Sequence, residues 1–160
     1  MRVITIYHNP ECGTSRNVLQ IIRDAGYSPQ VIEYVKEGWD REQLDYLLSA
    51  AEITPRQALR TTKSPADALG LLDESVTDDV LFEAMLAHPI LVNRPMVCMS
   101  VDEYEVEATR VPKRPSQEVV ALCRPSDAIL DILPLWPTGP YQKEDGTLII
   151  DTSGQRVLHK

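Results

Sequence analysis

Within its first thirty-five residues the chain changes hydrophobic period twice, and that change restricts what it can fold into. Val3-Ile4-Thr5-Ile6-Tyr7 is β-branched and aromatic, the pattern of a buried strand. Asn9 to Ser15 is dense in turn and capping residues. Val18, Leu19, Ile22 and Ala25 then recur at helical spacing until Gly26 ends the helix. Val31-Ile32-Glu33-Tyr34-Val35 reads as a second strand. Strand, helix and strand in so short a span form a βαβ unit with a right-handed crossover. The fold class is therefore α/β.

The remaining chain extends that unit. A capping box at Asp40 and Gln43, N-caps with proline at Thr54-Pro55 and Ser64-Pro65, and Thr77 ahead of Leu81 and Met85 predict a helical subdomain inserted over residues 40–88. A third strand is expected from Met96 to Val101 and a fourth from Val119 to Leu122. Between them, residues 101–117 form a charged, proline-containing segment that reads as a loop or flap. Ser126 caps a short helix carrying Ile129, Leu130, Ile132 and Leu133. These elements make one domain over residues 1–133. A proline-rich tail follows over 134–160, with Asp145-Gly146 marking a hairpin turn, and no function is read in it.

Composition removes several classes of function. Sixteen Lys and Arg against 24 Asp and Glu give a net charge of −8, the opposite of a nucleic-acid footprint. The longest run without a charged residue, Ile132 to Gln142, is shorter than the ~20 apolar residues of a membrane span. Three scattered cysteines make no disulfide framework, and the N-terminus has no signal-peptide layout. A cytoplasmic protein with free thiols, without nucleic-acid or membrane partners, is expected.

Chemistry concentrates in His8-Asn9-Pro10-Glu11-Cys12-Gly13-Thr14-Ser15-Arg16. Cys12 stands where a strand ends and a helix begins, among unpaired backbone N–H groups and at the positive end of the helix dipole. Cysteines so placed titrate at roughly 3.5 to 7.5 instead of about 8.5. His8 and Arg16 are close enough in sequence to assist. The plain alternative is a small buried residue, the usual lot of a free cysteine. Cys98, inside an apolar strand, fits that alternative; Cys123 fits either packing or a peripheral redox role.

Ser15 makes the motif Cys-x-x-Ser, so no dithiol closes within the loop and its hydroxyl is expected to donate to the thiolate. A phosphatase-type Cys-x5-Arg loop fails, because position 18 is Val. Arginine outnumbers lysine 11 to 5. Arg94 precedes Pro95 and a strand, and Arg124 follows a strand; strand ends of α/β sheets gather ligands, and guanidinium forks suit oxyanions. Each reads equally well as a surface residue, and Arg60 reads as an ordinary helix-end residue. His8 also reads as a satisfied structural histidine, while His88 and His159 lack metal spacing. No metal and no tightly bound cofactor are expected.

The segments Ile6-Tyr7-His8-Asn9-Pro10, Cys12-Gly13-Thr14-Ser15-Arg16-Asn17, Thr77-Asp78-Asp79, His88 to Pro95 and Leu122-Cys123-Arg124-Pro125-Ser126 resemble the glutaredoxin-coupled arsenate reductase family, in order, over residues 2–133. The resemblance implies a thioredoxin/glutaredoxin-like mixed sheet with a helical insertion, and Pro95 as its cis-proline facing the cysteine. It implies Cys12 as the nucleophile on arsenate and His8 and Ser15 as tuning residues. Arg60, Arg94 and Arg124 become oxyanion ligands, with Gly13, Thr14 and Pro95 structural at the site. Glutathione is then the co-substrate and glutaredoxin the partner. The segment 101–117 is longer than in the family's best-known members, and Pro134-Leu135-Trp136-Pro137 is unusual. Two alternatives share the fold: a Spx-like regulator that binds RNA polymerase, whose common Cys-x-x-Cys switch Ser15 removes, and a glutathione-dependent thiol oxidoreductase acting on other substrates.

Overall fold

A computed structural model describes residues 3–100 and 118–158. Strand β1 (Ile4–Tyr7) leads into helix α1 (Gly13–Asp24) and strand β2 (Gln30–Ile32). The helical region comprises α2 (Tyr34–Glu37), α3 (Arg41–Ala50), α4 (Pro55–Ala58) and α5 (Asp78–Ala87), followed by a 3-10 turn at Pro89–Leu91. Strands β3 (Met96–Ser100) and β4 (Glu118–Leu122) complete the main sheet. A 3-10 helix, Ser126–Asp131, precedes a hairpin of β5 (Tyr141–Gln142) and β6 (Leu148–Ile150). The expected loop at 101–117 lies outside the described residues.

The main sheet runs β2-β1-β3-β4, with β2 parallel to β1 and both other pairs antiparallel. Its two faces cover separate cores. In β3, Met96 and Cys98 pack on the side of the helical region, while Val97 and Met99 pack with α1. That alternation follows from the two-residue period of a strand. On the first side, Leu44, Leu47, Leu81, Met85 and Leu91 close the core. On the second, Val18, Ile21 and Ile22 of α1 meet Ile129, Leu130 and, from the tail, Ile149 and Ile150, both fully buried. The segment in which no function was read is therefore part of what covers the helix behind Cys12.

Capping proceeds as the sequence requires at three helices. Asp40 with Gln43 and Thr54 with Gln57 form capping boxes, and Thr77 Oγ1 accepts the Val80 N–H. At Asp145-Gly146 the expected hairpin turn forms, with Gly146 at φ +87° and the Asp145 carboxylate accepting the Thr147 N–H at 2.9 Å.

Two expected elements differ. The second strand stops at Ile32, and Tyr34–Glu37 turns into α2. The Tyr34 hydroxyl donates to the Val92 carbonyl at 2.8 Å, and its ring stacks on Trp39 at 4.9 Å. That tertiary anchor overrides the β propensity of Tyr34-Val35. No helix starts at Ser64-Pro65; the chain turns repeatedly over 62–76, and the Ser64 hydroxyl donates to the Arg60 carbonyl instead of capping a helix.

Candidate active site

The loop between β1 and α1 is built by its own polar groups. Asn9 Oδ1 accepts the Glu11 N–H at 3.0 Å, and the Asn9 carbonyl accepts the Cys12 N–H at 3.0 Å. This turn places Cys12 at the N-cap of α1 with extended backbone, φ −100° and ψ 121°. The Cys12 carbonyl begins the helix by accepting the Arg16 N–H, and its side chain faces the free amides of the first turn. Cys12 is only 8 % exposed.

Three arginines from distant parts of the chain converge on that sulfur. Arg60 follows α4, where Leu59 bridges to Val92 and the Arg60 N–H donates to the Leu91 carbonyl at 2.7 Å. Arg94 precedes β3 and is 4 % exposed, with Nη1 donating to the Ile90 carbonyl at 3.3 Å. Arg124 follows β4; its Nη1 lies 3.6 Å from Cys12 Sγ and 2.9 Å from the Arg94 carbonyl. The Arg94–Pro95 and Arg124–Pro125 peptide bonds are both cis, and the Cys123 N–H donates to the Pro95 carbonyl. Together Cys12, Gly13, Thr14, Arg60, Arg94 and Arg124 line one cavity of about 260 Å³, with Glu11 and Lys63 at its rim. A larger cleft of about 570 Å³ between α1 and the hairpin contains neither Cys12 nor these arginines.

The electrostatics favour an anion. Among the described residues, no carboxylate pairs with Arg60, Arg94 or Arg124, and Nε of both Arg60 and Arg94 is buried without a partner. Burial and the adjoining Arg94 and Arg124 charges push Arg60 below its ordinary value. Burial raises the Cys12 thiol. The Ser15 backbone N–H and the Arg124 and Arg94 guanidinium groups outweigh it, and the thiol comes down to about 7. Cys98 and Cys123, buried without such donors, are pushed up to about 12.

The alkylation rate at Cys12 should accordingly rise with pH around a midpoint near 7, because the thiolate is the nucleophile. About a tenth is ionised one unit below that midpoint and about nine-tenths one unit above. Native protein titrated with iodoacetamide and read by mass spectrometry should label once; a midpoint above 8.5 would contradict the geometry.

His8 and Ser15 reach Cys12 differently from expectation. Ser15 Oγ accepts the Asn9 N–H at 3.1 Å and shares a 2.7 Å hydrogen bond with His8 Nδ1, its direction set by the imidazole tautomer. The Ser15 hydroxyl is thus committed to His8, and its backbone amide serves the sulfur. Burial lowers the His8 pKa, with Glu33 opposing and Arg23 and Arg16 assisting, so the ring is neutral at pH 7. Arg16 also departs from expectation: Nη1 donates to the Pro10 carbonyl, and Nε and Nη2 fork onto Glu144.

Reasoning from the residues alone missed Arg60, which only the resemblance supplied, and missed Lys63; it read Asn9 and Glu11 as part of the turn before the helix, with no individual role. Asn9 had a legible signal, an Asn-Pro turn before the cysteine. Lys63 had none, since its place at the rim depends on the irregular turns after Arg60.

Known proteins resemble this chain in sequence and in fold. The pattern that defines the ArsC family matches residues 7–132. Arsenate reductase ArsI2 of Synechocystis is 59 % identical over 155 residues, covering 97 % of this chain and 99 % of that protein. The arsenate reductase of Escherichia coli K12 is 41 % identical over 157 residues, with 98 % and 99 % covered. The solved arsenate reductase from Vibrio cholerae superposes with a TM-score of 0.64 at 30 % identity, covering 82 % of this chain and 98 % of that one. Its likeness bears out the thioredoxin-like mixed sheet expected from the resemblance. With a matching pattern from the end of β1 to beyond Arg124, and relatives aligned over nearly its whole length, this chain belongs to the ArsC family.

Proposed function

We propose that this protein is an arsenate reductase that uses Cys12 as nucleophile and draws its electrons from glutathione and glutaredoxin. One observation carries the reading: a thiol poised near neutral pH shares a cavity with three guanidinium groups that have no carboxylate partner among the described residues. The names of the relatives supply the oxyanion.

The chemistry follows from charge. A thiolate and an arsenate anion repel, and the whole chain carries −8, so the pocket must supply local positive charge. Arg60, Arg94 and Arg124 bind the arsenate oxygens and stabilise the pentavalent centre as sulfur bonds to arsenic. Cys12 Sγ forms the S–As bond, and one arsenic-bound oxygen leaves as water with protons from solvent. Two external thiols then deliver two electrons: arsenic falls from As(V) to As(III), and the thiols end as one disulfide after glutaredoxin resolves the mixed species. Arsenite departs and Cys12 returns as thiolate.

An external reductant is favoured because Ser15 is not a second thiol and Cys98 and Cys123 are buried and protonated at neutral pH. Free thiols and a glutathione requirement suit the reducing cytoplasm.

The test is arsenate-dependent NADPH oxidation with glutathione, glutathione reductase and glutaredoxin, with arsenite quantified as product. Turnover requiring all components is expected. Arsenite formation without glutaredoxin would overturn the coupling; no arsenate-dependent turnover, with disulfide reduction of other substrates or recovery of RNA polymerase in a pull-down, would overturn the activity.

A further inference from the structure

The tail hairpin reaches back to the helix that carries Cys12. Arg16, one turn after the sulfur, is the nearest cation in sequence, yet all three of its side-chain nitrogens are engaged elsewhere. Nη1 donates to the Pro10 carbonyl at 2.8 Å, Nη2 to Glu144 Oε1 at 2.8 Å and Nε to Glu144 Oε2 at 3.2 Å. Further ties fix the hairpin in place: the Glu144 N–H donates to Asn17 Oδ1 at 3.0 Å, and the Tyr141 hydroxyl donates to Asp24 at 2.7 Å. The Glu144 carboxylate passes over Gly13, where a Cβ would stand 3.3 Å from Oε1.

Arg16 and Glu144 are 44 % and 48 % exposed, a setting in which an ion pair adds little stability. What the pair does have is position, because a cation and an anion are locked side by side over the first turn of α1. Left alone, Arg16 would add positive charge beside the thiolate, and Glu144 alone would add negative charge. We propose that Glu144 is a positioning residue that neutralises Arg16 and holds it on the Pro10 carbonyl, so that Arg16 adds no net charge to the surroundings in which Cys12 ionises. Among the described residues, the remaining charged groups lining the cavity of the sulfur are Arg60, Lys63 and Glu11; His8 is hydrogen-bonded to Ser15 Oγ, and burial lowers its pKa. The proposal rests on Cys12 being the reactive thiol, and its test needs no arsenate, so it fails separately from the proposed reaction.

The experiment is the pH profile of Cys12 alkylation in wild type, Glu144→Gln, Arg16→Gln and the double variant, at low and high salt, with thermal melts to confirm folding. At low salt Glu144→Gln should lower the thiol midpoint by about 0.4 unit and Arg16→Gln should raise it by a similar amount, both differences shrinking in about 1 M salt. The double variant should return to the wild-type midpoint. A midpoint unmoved in both single variants would overturn the proposal. So would displacement of the singles and the double in one direction, the mark of a disturbed loop and not of a charge balance.

Discussion

Cys12→Ser is expected to lower arsenate turnover at least about a thousandfold while leaving the fold and the oxyanion pocket in place. The chemical reason is ionisation: the Cys12 thiol sits near 7, whereas a serine hydroxyl stays protonated far above any working pH. The Ser15 amide and the Arg124 guanidinium that stabilise a thiolate cannot bridge that gap. The substitution replaces sulfur by a smaller oxygen at a side chain facing a polar cavity, so the melting temperature should move little. The check is arsenite production in the coupled system beside a thermal melt and a titration with arsenate. Surviving production by folded Cys12→Ser protein would refute the nucleophile.

The second large effect is expected at Arg94. It is 4 % exposed, fixed by its Nη1 donation to the Ile90 carbonyl, and close enough to Cys12 to stabilise the thiolate. Arg94→Ala should lower kcat/KM for arsenate by about 100- to 1,000-fold, the usual loss when a charged donor is removed from a developing oxyanion. It should also raise the alkylation midpoint of Cys12, because removing a neighbouring cation disfavours the thiolate. Arg94→Lys should restore the midpoint better than kcat/KM, since an ammonium supplies charge without the planar fork. Loss of activity with an unmoved midpoint would separate Arg94 from the sulfur and undo this part of the mechanism.

Local features of the sequence were enough to read the reactive loop. The strand before Tyr7, the turn at Asn9-Pro10 and the helix after Cys12 each depend on near neighbours, and so does the capping at Asp40, Thr54 and Thr77. Arg94 and Arg124 were visible as candidates because both adjoin strand ends. Arg60 was not: nothing beside it in sequence distinguishes it, and its place comes from the Leu59–Val92 bridge, which joins segments thirty-three residues apart. The second strand was read too long because Tyr34 answers to Val92 and Trp39, both outside its own window. The tail gave no hint of function because Glu144 meets Arg16 across 128 residues.

The order of the strands has a consequence for how the protein comes into being. Central strand β1 pairs on one side with β2 and on the other with β3, as in the Ile4–Met99 register. A nascent chain leaving the ribosome presents Cys12 early, but the last of the three guanidinium groups emerges only with residue 124. During vectorial synthesis the sulfur therefore passes through a stage with its cationic surroundings incomplete, when it is a weaker acid than in the finished protein. Closing a sheet through partners so far apart in sequence also slows folding. Reactivity thus matures last, after most of the polypeptide has already been made.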